Sequence, residues 1–147
     1  MPSIRPQAPN SPRHLSMGCI ISGGYGVLTA GECIGWYDAA FNPGWWPGNI
    51  VAECLSAYAA SQRLTSIVAF LAASTGYARA LRGLDRIPDS VRPDRVFLVS
   101  PVAGDRGGAM PTVPHTLGEA FAAFVRRDLK PGWRSTDGLD LSVSRVT

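Results

Sequence analysis

Three glycines in four positions, Gly23, Gly24 and Gly26, follow the apolar run 17–21 and Ser22, with Tyr25 between the second and third. Glycine tolerates positive φ and lets a ligand approach backbone N–H groups closely, so this cluster is a candidate binding loop. Glu32, Tyr37 and Asp38 come next, titratable side chains in a glycine-rich segment, and are candidates for acid, base or hydrogen-bonding roles. A second cluster, Ser74, Thr75 and Tyr77, stands where another apolar run stops. Thr75 there reads either as a helix cap or as part of an anion site. The tempting nucleotide signatures fail on spacing. Gly24-Tyr25-Gly26 is followed by Val27-Leu28-Thr29, so the third glycine of a dinucleotide fingerprint is missing, and GK[ST] occurs nowhere. His14 and His115 are the only histidines, one in a proline-rich lead-in and one before a helix, which gives a Ser-His-Asp triad little support. Trp45 and Trp46 suit packing of their loop onto the core better than stacking on a base.

The elements that must position these groups follow from periodicity. Apolar runs at 17–22, 65–74 and 95–102 read as buried strands, and residues 139–146 as an edge strand. The glycines and prolines of 23–48 predict a loop, with a helical turn near 37–41. Asn49 is a good N-cap for a helix over 50–64 with the stripe Ile50, Val51, Cys54, Leu55 and Tyr58. A short helix is expected over 77–84, then a solvated connection over 83–94 and a loop over 103–114. Thr116 and Glu119 form a capping box for a helix over 115–129 whose stripe is Leu117, Phe121, Phe124, Val125 and Leu129. Alternating strands and helices define the class as α/β, a Rossmann-like three-layer domain with a short, mostly parallel sheet of three to four strands. Residues 1–14 read as a disordered lead-in and 15–147 as one domain. In such sheets ligands bind beyond the carboxyl ends of the strands, and Ser22, Ser74 and Ser100 each mark such an end.

Composition narrows the function classes. With 46% hydrophobic and 17% charged residues the chain suits one globular core. The net charge of +3 comes from arginine, Lys130 being the only lysine, so nucleic-acid binding needs those arginines gathered on one face. Cys19, Cys33 and Cys54 lack CxxC spacing, which argues against a zinc site or a disulfide framework. Neither a metal nor a cofactor is expected. No apolar run reaches the ~20 residues of a membrane span, and no secretory signal precedes Gly18, so a cytoplasmic protein is expected.

The segment "SGGYGVLTAGECIGWYD" at 22–38 resembles the YaaA-like family, named for the peroxide stress protein YaaA. Ser22, Gly23, Tyr25, Gly26, Leu28, Glu32, Ile34, Tyr37 and Asp38 fall on its SGxYGLLxPxExIxxYD-type motif, and Tyr77 on the tyrosine after the next strand. The resemblance spans residues 17–126 and departs at Val27 and Thr29-Ala30. It implies a pocket for a nucleotide or nucleic-acid base, floored by Gly23, Gly24 and Gly26 and lined by Tyr25, Glu32, Tyr37, Asp38, Ser74, Thr75 and Tyr77. It also implies a role in oxidative-stress protection or nucleic-acid base metabolism, with Glu32 or Asp38 as acid/base and Tyr37 as a positioner if a reaction is catalysed. The family's usual upstream strand has no counterpart here, which implies an unpaired or uncovered sheet edge and with it dimerisation or poor stability. Two other readings stand beside it: a non-catalytic DNA- or RNA-binding protein using arginine–phosphate contacts, and an incomplete domain without independent activity.

Overall fold

A computed structural model describes residues 18–36, 41–102 and 112–147. The lead-in over 1–14, the turn expected at 37–41 (apart from Phe41) and most of the 103–114 loop lie outside the described residues.

Strand β1 (Cys19–Ser22) pairs antiparallel with β2 (Gly26–Thr29), Ser22 opposite Gly26. This corrects two expectations: the first strand is not part of the parallel sheet, and residues 26–29 are strand rather than loop. The cause is local. Ser22 Oγ accepts the N–H groups of Gly24 and Tyr25 at 3.3 and 3.2 Å, and Gly26 takes φ +77°, so the chain reverses within Gly23-Gly24-Tyr25. Glycine clusters that would interrupt a helix are what a tight hairpin needs.

The second sheet has the order β3–β4–β5, with β3 (Ser66–Phe70) parallel to β4 (Arg95–Pro101) and β4 antiparallel to β5 (Leu141–Arg145). The class is therefore α/β, with a two-stranded antiparallel sheet and a three-stranded mixed one. α2 (Gly76–Arg82) lies between β3 and β4 in the chain, as a parallel pair requires, and runs into a 3₁₀ turn, Gly83–Arg86.

α1 (Ile50–Ser61) buries Val51, Ala52, Leu55, Ser56 and Ala59, a stripe rotated from the expected one. Ile50 and Cys54 are exposed because the inward face is set by contact with α2 and its 3₁₀ extension. Asn49 precedes α1 but its side chain caps nothing. Its Nδ2 donates to the Gly83 carbonyl at 2.8 Å and ties the start of α1 to the end of α2. These two helices cover one face of the three-stranded sheet, where Leu55, Leu81, Leu84, Val96 and Leu98 form the centre of the core.

α3 (Thr112–Val125) packs over the opposite face through Phe70, whose ring meets Phe121 edge-on at 5.5 Å and Phe124 at 5.4 Å. It starts earlier than the capping box predicts, because Pro114 fits a first turn without loss of a hydrogen bond. Thr116 is thus a buried interior residue, and Glu119 reaches Thr136 instead, accepting its N–H at 2.9 Å. The buried face of α3 is Thr116, Ala120 and Ala123, while Phe121, Phe124 and Val125 remain substantially exposed.

Candidate functional site

The carboxyl ends of β3 and β4 do meet. Ser100, buried at the end of β4, accepts the Ala73 N–H on its Oγ at 2.9 Å, which pins the segment leading from β3 into α2. Thr75 closes that segment as a cap: its Oγ1 accepts from Ala78 N–H at 3.4 Å and donates to the Ala72 carbonyl at 2.7 Å. Ser74 is exposed beside it. Tyr77, in the first turn, stacks on Phe41 with ring centroids 4.5 Å apart.

The Ser22 end is elsewhere, at a hairpin turn in the other sheet, so the three strand ends do not share one edge. Gly23 is buried, Gly24 and Tyr25 are exposed, and the Ser22 hydroxyl is engaged by the turn. Glu32 lies at the far end of the same hairpin. Its carboxylate accepts the Thr29 N–H, and that bond holds it below the usual glutamate range. Near it, burial pushes the Cys19 thiol up, partly offset by a hydrogen bond with Tyr58. Tyr37 and Asp38 lie outside the described residues.

What joins the two regions is Trp46. A Cβ on Gly26 would stand 3.0 Å from Trp46 Cη2, so the indole lies directly on the glycine of the hairpin. Trp46 is half-buried and packs against the core, whereas Trp45 is 59% exposed. The Trp46 indole N–H is buried without a hydrogen-bond partner among the described residues.

Trp46 also lines a cavity of about 270 Å³ between the 41–49 segment, α1 and α2. Phe41, Arg79, Arg82 and Arg86 line it as well, and among the described residues no carboxylate does. The three arginines recur at i, i+3 and i+7, one face of α2 continued through the 3₁₀ turn. None has an ion-pair partner among the described residues, and Arg82 Nη1 bonds only to the Ala73 carbonyl, at 3.2 Å. By contrast Arg92 contacts Asp85 and Asp89, and Arg134 holds Asp140 in a bidentate pair. Unneutralised guanidinium groups beside aromatic rings make a site for an anionic, planar ligand. No sequence motif marks this group, although the arginine spacing is legible in "YARALRGLDR".

Among the described residues no cluster of three or more His, Cys, Asp or Glu could hold a metal ion, and no helix is long and apolar enough to cross a membrane. Comparison with protein-family models, curated proteins and solved structures finds no match to this chain.

Proposed function

We propose that the chain is a YaaA-like, Rossmann-like domain that binds a nucleotide or nucleic-acid base, with phosphate held by Arg79, Arg82 and Arg86 and the base against Trp46 and Phe41. The observation that carries this reading is the concentration of three guanidinium groups, none paired with a carboxylate among the described residues, around one cavity. A volume of about 270 Å³ lies at the small end of ligand pockets, which suits a mononucleotide rather than a dinucleotide. The parallel β3–α2–β4 unit supports the Rossmann-like layering, with the cavity flanking its crossover helix. Oxidative-stress protection or nucleic-acid base metabolism is the role the family resemblance adds. Glu32 does not line the cavity, so the reading is one of binding and assigns no reaction.

Titration with nucleoside monophosphates, followed by calorimetry and by tryptophan fluorescence, tests it. Saturable binding should be lost in Arg79→Ala and Arg86→Ala, whose folds should be preserved because neither side chain bonds to another residue among those described. Absence of binding, or binding indifferent to both substitutions, overturns the reading. The alternative, a DNA- or RNA-binding protein, draws on the same arginine row, since one helix face of guanidinium groups suits a phosphate backbone. It predicts an affinity for oligonucleotides that falls steeply with salt, with little affinity for the mononucleotide.

A further inference from the structure

We infer that β3 is the seam of a homodimer, in which two copies pair antiparallel through this edge and fuse their three-stranded sheets. β3 has no strand on its outer side among the described residues. The Thr65 carbonyl accepts from Arg95 and the Leu71 N–H donates to Val99, so odd-numbered residues face β4. Ser66, Val68 and Phe70 therefore turn their N–H and C=O groups outward.

Those three outward residues are self-complementary. With a two-fold axis at Val68, Val68 meets Val68 of the second copy and Ser66 meets Phe70. Each is then a hydrogen-bonded pair that exchanges both backbone bonds. The side chains match as well. Phe70 lies opposite a serine and Ile67 opposite Ala69, so a large group faces a small one on both sides of the sheet. No charge occurs in β3, and a two-fold pairing brings no like charges together.

Nothing in β3 guards the edge. Natural edge strands carry lysine, proline, charges or bulges, and β3 has none of these. The other edge, β5, ends in Arg145 and alternates Ser142 and Ser144 with its apolar residues. The α3 face adds apolar surface beside the seam. Phe121 and Phe124, 49% and 41% exposed, stand against Phe70, and the two-fold brings both copies of α3 to the same face. A second copy is the occupant that this match of register, size and charge selects.

A five-residue seam is small, so the dimer should dissociate on dilution in the micromolar range. Sedimentation velocity across a concentration series should show that equilibrium. Ser66→Lys, at an exposed position, should weaken it by roughly tenfold or more while leaving the far-UV spectrum unchanged. Cross-linking checks the register independently, in a background with Cys19, Cys33 and Cys54 changed to serine. In the proposed pairing the Cα atoms of the two Val68 residues are ~5.5 Å apart, within disulfide range, whereas the two Ser66 residues are ~14 Å apart. Oxidation should give a reducible dimer from Val68→Cys and none from Ser66→Cys. A protein that stays monomeric at the highest concentrations, a dimer indifferent to Ser66→Lys, or cross-linking at position 66 instead of 68 overturns the inference. The cavity takes no part in the seam, so nucleotide binding stands or falls separately.

Discussion

Substituting Gly26 with alanine separates two physical costs that meet at the hairpin. The first is conformational: Gly26 has φ +77°, and a left-handed backbone costs an L-residue about 1–2 kcal/mol. The second is steric. The new Cβ would stand 3.0 Å from Trp46 Cη2 and 3.1 Å from Cζ3, closer than carbon atoms pack, and both belong to a rigid ring. Overpacking of this kind costs about 1–3 kcal/mol. Gly132→Ala supplies the control, because Gly132 has φ +80° and nothing within 4 Å of the position its Cβ would take. Thermal unfolding followed by circular dichroism should show a loss of about 1–2 kcal/mol for Gly132→Ala and about 2–5 kcal/mol for Gly26→Ala. The excess corresponds to a further fall in Tm of roughly 2–12 °C in a chain of this size. Trimming the indole should cancel that excess, so a double-mutant cycle with Trp46→Leu should show coupling at Gly26 and none at Gly132. Equal losses in Gly26→Ala and Gly132→Ala would refute the reasoning, since Trp46 would then not rest on the hairpin.

Two further outcomes follow from ionisable groups. The His115 imidazole, bonded through Nδ1 to Asp137 at 2.9 Å and 3.9 Å from Glu119 through Nε2, is raised above its ordinary 6.5, chiefly by the Asp137 bond. A raised histidine stabilises the fold fully below its unfolded pKa and loses that contribution as pH rises through the folded one, so the Tm advantage of the native chain over Asp137→Asn should be full below the ordinary histidine range and shrink as pH rises above it. An advantage that grows with pH would contradict the ion pair. Among the described cysteines, Cys19 is half-buried with its thiol pushed up by burial, whereas Cys33 and Cys54 are exposed. Mass spectrometry after timed alkylation near neutral pH should find Cys19 modified last, and Cys19 reacting first would be inconsistent with this burial.

The parts of the fold legible in the sequence are those where one local signal dominates. The apolar runs over 65–74 and 95–102 are short, and β3 and β4 lie within them. Thr75 was readable as a cap because its hydroxyl acts on the turn directly after it. Legibility failed where distant partners decide. The inward face of α1 is set by α2, and the Asn49 amide leaves its own helix for Gly83, so periodicity alone misplaced the stripe and overstated the cap. Glu119 is drawn from its capping role by Thr136, far along the chain. The hairpin escapes periodicity for a different reason: glycines that break a helix also form a tight turn, and Gly26 opens β2.

That last point bears on the site itself. Ser22 spends its hydroxyl on the turn, Gly23 is buried, and Gly26 lies under Trp46, so the part of the glycine segment that looks most like a ligand loop is occupied by the protein's own contacts. Its physical effect on the cavity is indirect. Only a residue without a side chain lets the indole settle at position 26, and that indole walls the space facing Arg79, Arg82 and Arg86. The glycine segment and the cavity are therefore coupled through one indole without sharing residues. Gly26→Ala should then weaken mononucleotide binding through displacement of Trp46, while Gly132→Ala, equally strained and remote from the cavity, should not. If both leave binding intact, the hairpin and the cavity are independent, and the glycine segment needs a separate explanation.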